Sequence, residues 1–321
     1  MMINPDDLLF RIETRPRAQE YERRYLGASE IGEECNRKLW LKFHGYAQPE
    51  QFSDRMLRLF KRGIDEELRF ESYLDSIGIE IVDTCRSQAG FKDGFFAGHG
   101  DGVYLIDGDR VCGEMKTHSV KSFATLKRGE LKFSHPKHYA QCIVYTGKFN
   151  CKYALYMAVC KDTDELFFDC IPFNQEEFDA YLAKAEYITM ADKPPERIAT
   201  KPTAFACKFC HVKDICWGFE MPRVDCRNCT SATKHQEFAS FGCDKIQKSN
   251  DLVKRSSNNQ LDERGYCESH SFNPYAMHEL QGWEPLEFHP QHRAVEYKKP
   301  DGETIINGEA PFGVPSKDLR A

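Results

Sequence analysis

A mixed α/β fold, a sheet flanked by helices, is the class this chain predicts. Two observations carry it. Segments with helical period and segments with strand alternation follow one another in the order helix, three strands, helix, strand. The segments are also separated by glycine and aspartate turns rather than by long polar spacers. A third observation divides the chain: after Lys201 it becomes cysteine-rich and less apolar. We therefore expect an α/β core over residues 1–220 and a small C-terminal part over 221–321.

The elements can be justified in order. LGASEIGEECNRKLWLKFHG reads as a helix capped by Ser29 and carrying Cys35. SDRMLRLFKRGIDEELRFESYLDSIG reads as a longer helix from about Ser53 to a stop at Gly78. Its inward stripe runs through Met56, Phe60, Ile64 and Leu74, with Glu67 and Glu71 inside it. Carboxylates on an apolar face are costly unless paired or metal-bound. A paired, structural role suits Glu71, and a functional one suits Glu67.

Strands follow in IEIVDTC and FKDGFFAGHGDGVYLI. GDRVCGEMKT comes after an Asp107-Gly108-Asp109 turn, so this stretch predicts a β-hairpin. HPKHYAQCIVYTGK is a helix with Pro136 near its first position and Gly147 at its stop. KYALYMAVC and ELFFDCIPF form a second hairpin around Asp162-Thr163-Asp164. NQEEFDAYLAKAEYITMAD starts like a capping box, with Asn174 and Glu177. KPPERIATKP reads as a linker, KRSSNNQLDERG as an exposed loop and AVEYKKPDGETIING as a late hairpin. No internal repeat is visible.

Composition narrows the classes. The 321 residues suffice for one large or two modest domains with a real core. The acidic MMINPDDLLF start lacks a basic-then-apolar signal pattern, and no apolar run approaches the ~20 residues of a membrane span. We expect a cytoplasmic protein with no membrane partner. The fourteen cysteines then read as reduced thiols, and the clustered ones as metal ligands rather than disulfides. A net charge of −6 gives no bulk attraction for nucleic acid.

The chemistry concentrates in GHGDGVYLIDGDRVCGEMKTHS. A hairpin folded about its turn brings Asp101 and Glu114 near each other at one end, and Lys116 lies on Glu114's face of the strand. Two converging hard carboxylates suit Mg²⁺ or Mn²⁺. A lysine beside them can orient or deprotonate a metal-bound water, or stabilise developing negative charge. Glycines around Asp101 allow a substrate backbone to approach. Such a set fits phosphodiester hydrolysis, although acid-turn-acid-x-Lys alone is common in surface hairpins.

Three further features strengthen it. Glu67 is expected to point inward. Gln141 and Tyr145, four apart on the next helix, share a face and can hold a phosphate or terminal nucleotide. From Lys116 to Lys148 seven bases, including Lys121, Lys127, Arg128, Lys132 and Lys137, meet a single acid, Glu130, leaving a local +6, with His118, His135 and His138 added. A run of this kind is usually a solvated face; here it follows the proposed metal site, where a phosphate backbone would lie.

On these motifs the chain resembles the RecB-like branch of the PD-(D/E)XK nucleases, which includes CRISPR-associated RecB-like exonucleases and many phage recombination exonucleases. GIDEE with Glu67, GHGDG with Asp101, GEMK with Glu114 and Lys116, and QCIVY with Gln141 and Tyr145 occur in the family's order, within about Leu26 to Trp217. Many members carry His where this chain has Glu67. The resemblance implies a restriction-endonuclease-like core and a Mg²⁺- or Mn²⁺-dependent DNA nuclease. Asp101 and Glu114 would be ligands with Glu67 beside them, Lys116 would act on the water, and Gln141 and Tyr145 on the substrate.

The cysteines allow two allocations. Spacing alone favours one zinc at Cys207, Cys210, Cys226 and Cys229, in zinc-ribbon order. Iron–sulfur members of the RecB-like family have one cysteine before the core and three after it. That implies a [4Fe–4S] cluster at Cys35, Cys207, Cys210 and Cys216, closing the core through segment 207–216. The C-terminal extension would then hold a separate Zn²⁺ at Cys226, Cys229, Cys267 and His270, with Cys243 as substitute. Cys85, Cys112, Cys142, Cys151, Cys160 and Cys170 read as core residues.

The leading expectation is a phage- or mobile-element-encoded DNA exonuclease, resecting ends for recombination beside a single-strand annealing protein. An endonuclease or spacer-trimming CRISPR accessory is the alternative. A DNA-binding scaffold with structural metals is the alternative of another class.

Overall fold

The structure, a computed structural model, describes residues 4–13, 23–87, 89–244, 267 and 269–320. The KRSSNNQLDERG segment lies outside the described residues.

Helix α1 (Pro5–Glu13) precedes a two-residue strand β1 (Leu26–Gly27). Residues 28–30 form a 3₁₀ turn, and helix α2 (Asn36–Phe43) starts only after it, with Cys35 as its N-cap. The single helix expected here is thus two elements. Ser29 caps neither, and Cys35 sits at a helix mouth instead of inside a helix.

Helix α3 (Asp54–Ser76) is capped by Ser53, whose hydroxyl accepts from Met56 N–H at 3.3 Å. Its buried residues are Phe70 and Leu74. Phe60 and Ile64, expected inward, are 43% and 53% exposed. Only the C-terminal half of α3 packs on the sheet, and Phe60 instead meets Phe52 edge-on at 4.9 Å.

The central sheet has five strands: β2 (Glu80–Asp83), β5 (Val103–Ile106), β6 (Asp109–His118), β7 (Tyr153–Cys160) and β8 (Leu166–Pro172), in the order β2-β5-β6-β7-β8. It is mixed: β6 and β7 pair in parallel and the other neighbours antiparallel. Asp107 and Gly108 both take positive φ, 51° and 85°, as a tight hairpin turn requires. Strands β3 (Gly90–Asp93) and β4 (Phe96–His99) leave this sheet and join β1 in a small separate one.

The parallel β6–β7 pair needs a crossover. Helices α4 (Val120–Arg128), α5 (Leu131–Ser134) and α6 (Pro136–Lys148) supply it. Strand alternation then assigns the two faces. Met115, Met157 and Val159 pack with Phe70 and Leu74 of α3. Cys112, Ala154, Tyr156, Ala158 and Cys160 face the larger core, which holds Cys142, Ile143 and Val144 of α6. Helix α7 (Gln175–Met190) is capped by Asn174, which accepts from Glu177 N–H at 3.0 Å. Glu177's own carboxylate turns away to Lys132 and Tyr139, so only half of the expected capping box forms.

The 193–202 segment is strapped down. Arg37, 1% exposed, donates to Pro195 O at 2.9 Å, and Arg197 donates to Cys216 O at 2.8 Å. Short helices α8 (Phe205–Lys208) and α9 (Lys213–Cys216) follow, then hairpin β9 (Ala232–His235) and β10 (Ser240–Cys243), a helix over Pro274–Gln281, and the meander β11 (Glu284–His289), β12 (Ala294–Lys298) and β13 (Thr304–Asn307). The expected late hairpin is β12–β13. The C-terminal part has its own apolar cluster of Val224, Phe272, Met277, Trp283, Val295 and Tyr297. Among the described residues no helix is long and apolar enough to cross a membrane.

One buried ion pair stitches this part to α2. Asp225, 1% exposed, accepts two bonds from the Arg227 guanidinium, at 2.9 and 3.0 Å, and pairs with Arg223. Arg227 Nη1 donates to Phe43 O at 3.1 Å, and Asn228 Nδ2 to Gly45 O at 2.8 Å. Burial opposes ionisation of Asp225, but the two guanidiniums prevail and hold its carboxyl far below the usual carboxylate range. Removing one partner of a buried pair strands the others. Asp225→Ala should therefore cost about 3–5 kcal/mol, read as a lower urea midpoint and melting temperature.

Candidate active site

Strand β6 presents Glu114, Lys116 and His118 on one face, two residues apart. The β5–β6 register pairs Val103 with Cys112, and Gly113 N–H donates to Gly102 O at 2.9 Å. Continued two residues back, that register sets Asp101 beside Glu114. Asp101 Oδ2 accepts from Met115 N–H at 2.8 Å and lies 4.0 Å from Lys116 Nζ. The hairpin thus joins all three residues of the acid-turn-acid-x-Lys pattern.

Glu114 is fully buried. Its Oε1 accepts from the Lys116 ammonium, while its buried Oε2 has no hydrogen-bond partner among the described residues. Burial pushes its carboxyl up to about 8; Lys116 opposes the rise, and Asp101 and Glu67 add to it. Glu67, half-buried on α3, is pushed up to about 7 by burial and by Asp101. Lys116 is pushed up as well: its burial opposes the rise, but Glu114 and Asp101 outweigh it, so the ammonium stays charged. Glu67, Asp101, Glu114 and Lys116 thus share one electrostatic neighbourhood. Glu71 is not part of it: its Oε2 accepts Cys85 N–H at 2.6 Å, a structural bond.

Helix α6 supplies the opposite wall. Gln141 and Tyr145, 6% and 3% exposed, face the same way, and Gln141 Nε2 donates to Tyr145 Oη at 3.4 Å. Negative charge on Glu114 and Asp101 reaches the Tyr145 phenol and, after burial, adds to the rise in its pKa. The glycines of GHGDG serve these rings. A Cβ on Gly98 would lie 2.8 Å from Tyr145 Cε1, and one on Gly100 2.6 Å from Phe149 Cε2. Their space is filled by the protein's own aromatics, which corrects the expectation that it admits a substrate backbone.

The basic run looks different in three dimensions. Lys127 pairs with Glu165, Lys132 with Glu177 at 2.5 Å, Lys137 with Glu33 at 2.5 Å, and Lys148 with Asp93 at 2.8 Å. Acids distant in sequence neutralise most of the local +6, and only Lys121 and Arg128 of the five expected DNA contacts make no ion pair among the described residues. His118, His135 and His138 add no charge at pH 7, because burial pushes all three below the usual histidine range. Sequence reasoning also missed Tyr156, whose hydroxyl bonds both His118 and His138. The register that pairs it with Glu114 was not readable from strand alternation alone.

Cys35, Cys207, Cys210 and Cys216 all line one cavity of about 150 Å³, although Cys35 is far from the others in sequence. The α2 N-cap provides the first, α8 and its following turn the next two, and the end of α9 the last. Lys38, Arg197 and Lys213 line the same cavity together with Glu33, which pairs with Lys38 at 2.7 Å, so the lining carries a net positive charge. The zinc-ribbon grouping is not formed: Cys207 and Cys210 belong to this cavity, while Cys226 and Cys229 lie elsewhere.

Burial raises the thiol pKa of Cys226 and Cys229; Cys243 and Cys267 lie near enough to add to the rise at both, and Asp225 adds to it at Cys226. The backbone shows why. Cys229 bridges to Phe272, Ala232 N–H donates to Cys229 O at 3.0 Å, and Ala232 pairs with Cys243 across β9–β10. His270 is engaged elsewhere. Its Nδ1 meets Ser316 Oγ at 2.8 Å, and its Nε2 meets Asn228 Oδ1 at 2.8 Å and Asp225 O at 3.0 Å. Both ring nitrogens of the buried His270 are thus bonded within the protein. Of the six cysteines expected in the core, five are buried and Cys170 is exposed.

Among the described residues the one trio with ligand atoms within 4.8 Å of each other is Glu287, His289 and Glu296. It lies on β11 and β12, where His289 stands 3.9 and 4.0 Å from the two carboxylates. Neither the carboxylates near Glu114 nor either cysteine set closes to that single-ion distance.

No protein-family model matches the chain, and no curated protein matches it. Some solved structures are similar to it. An alkaline exonuclease, LHK-Exo from Laribacter hongkongensis, is 15% identical over 51% of this chain and 89% of its own, with a TM-score of 0.37. The same enzyme in complex with dAMP is 14% identical over 52% and 87%, with a TM-score of 0.39. A phage related exonuclease from Haemophilus somnus 129PT is 10% identical over 51% and 92%, with a TM-score of 0.38.

Proposed function

We propose that the chain is a metal-dependent deoxyribonuclease, an exonuclease acting on DNA ends. The observation that carries this reading is Glu114: a fully buried carboxylate with one oxygen on Lys116, the other without a donor among the described residues, and Asp101 beside it. A sheet has no structural need for such a group, and its cost is one a bound cation would offset. Mg²⁺ or Mn²⁺ fits the all-oxygen donor set of Asp101, Glu114 and Glu67, and when bound would lower the pKa of a water and offset phosphate charge.

The chain's own groups do the rest. Asp101 is oriented by Met115 N–H and keeps its other oxygen for the ion. Lys116 places a fixed positive charge beside the reacting phosphate. Gln141 and Tyr145 wall the site and hold the substrate from the α6 side. Lys121 and Arg128 offer unpaired charge to the DNA backbone. A single-strand annealing protein is the partner that would use the resected strand.

Two metal centres complete the reading. A [4Fe–4S] cluster fits Cys35, Cys207, Cys210 and Cys216, four thiols that line one cavity although Cys35 is far from the others in sequence. Zn²⁺ is assigned to Cys226, Cys229, Cys243 and Cys267.

Cleavage tests the main claim. Wild type with Mg²⁺ or Mn²⁺ should degrade linear DNA and spare closed circles; nicked circles would mean an endonuclease, and no cleavage would leave only a scaffold. Asp101→Ala, Glu114→Ala and Lys116→Ala should each abolish cleavage while DNA binding by gel shift persists. Tyr145→Phe and Gln141→Ala should slow cleavage more than they lower the melting temperature. Normal turnover by Glu114→Ala would remove the site.

Elemental analysis tests the centres. Anaerobically purified protein should hold about four irons per chain, and Cys35→Ala should lose them while zinc remains. Cys243→Ala should lose the zinc, and His270→Ala should keep it. A colourless, zinc-only wild type would rule out the cluster.

A further inference from the structure

We propose that Tyr156 is a positioning residue for Lys116: it is the acceptor to which the ammonium turns when a divalent cation displaces it from Glu114. The inference rests on the reading of Asp101 and Glu114 as a cation seat.

The geometry begins with the parallel β6–β7 register. Glu114 stands opposite Tyr156, and Lys116 opposite Ala158, all on the face that packs toward α6. Tyr156 is therefore the diagonal neighbour of Lys116, and the residue directly across is only a methyl group. Each feels the other's charge. At present Lys116 bonds Glu114 Oε1, lies 3.2 Å from Met115 O and 4.0 Å from Asp101 Oδ2. Its ammonium occupies the electrostatic position a bound cation would take.

That ammonium would be repelled from Glu114 if Glu114 and Asp101 held a divalent ion. The Lys116 side chain is only 26% exposed, so its ammonium still gains from a protein acceptor once it leaves. Tyr156, fully buried, has its hydroxyl 2.8 Å from His118 Nε2 and 2.8 Å from His138 Nδ1. The chain continues from His118 Nδ1 to Ser122 Oγ at 2.9 Å and on to His135 Nε2 at 3.0 Å. Burial, with Lys116's charge behind it, holds His118 at about 4 and His138 at about 2, so both imidazoles are neutral.

The proton count then decides what the phenol can offer. A neutral imidazole has one N–H, and a phenol one O–H. Between two neutral imidazoles the phenol donates one bond and accepts one, and one oxygen lone pair stays free for Lys116. An anionic neighbour would hold the ammonium permanently. A neutral, oriented oxygen lets it return to Glu114 when the ion leaves.

The test is Mn²⁺ binding, followed by the electron paramagnetic resonance of free Mn²⁺, on intact protein. Glu114→Ala identifies the site's share of the binding. Tyr156→Phe should weaken that share about tenfold, the lower end of what second-sphere partners cost. Lys116→Met should abolish the effect: Tyr156→Phe/Lys116→Met should bind like Lys116→Met alone. In cleavage, Tyr156→Phe should lower kcat about tenfold or more with KM for DNA within about twofold. His138→Gln, which disturbs the phenol's orientation without emptying the core, should give the same pattern more weakly, and it serves if Tyr156→Phe does not fold. Unchanged Mn²⁺ affinity in either variant, or an equal loss in the Lys116→Met background, overturns the inference while leaving the cation seat intact. Identical Mn²⁺ binding by wild type and Glu114→Ala overturns both.

Discussion

A carboxylate sealed in the middle strand of a five-stranded sheet is the constraint from which the site is built. An isolated ionised carboxylate in an apolar interior costs far more than a domain's net stability. Glu114 is tolerated because Lys116 stands two residues along the same face and because α6 lines that face with polar rather than purely apolar groups. The partition of the two sheet faces follows. Met115 and Met157 give α3 an ordinary apolar contact on one side, while Glu114, Lys116, His118 and Tyr156 occupy the other. Burial, with the neighbouring carboxylates adding to it, raises the carboxyl pKa values of Glu67 and Glu114, and Lys116 only partly opposes the rise.

Local signals in the sequence were enough for most of the frame. The Asp107-Gly108 turn, the Ser53 cap, Pro136 and the Asn174 cap each act through bonds within a few residues, and each is where its chemistry requires. What could not be read depends on contacts between distant segments. Phe60 and Ile64 fit the helical stripe but lie beyond the sheet. GHGDG reads as open backbone until Tyr145 and Phe149 are seen filling it. Glu67 and Glu71 are equivalent by periodicity, and only Cys85 N–H, from another element, separates their roles.

The cysteines show the same limit. Spacing alone could group Cys207 and Cys210 with Cys226 and Cys229, because it ignores the way α8 and α9 turn back toward the mouth of α2. Once they do, Cys35 completes the lining of their cavity, and its place at the helix N-cap, rather than inside the helix, is what turns its thiol there. His270 looked like a ligand by its distance from Cys267, yet Ser316 and Asn228 claim its ring. Those partners come from chain far to either side.

The ion pairs along α4 to α6 have a further consequence. Lys127, Lys132 and Lys137 meet solvent already matched by Glu165, Glu177 and Glu33. A polyanion laid on this face would not strip mobile counter-ions from these lysines. It would displace the protein's own carboxylates, which are tethered and remain nearby to repel it. The thermodynamic pull of a basic surface comes from ions released into bulk solution. Here much of that release is forfeited, so the steepness with which salt weakens binding would track the few unmatched bases and not the number of lysines. The face would hold a strand lightly and let it slide.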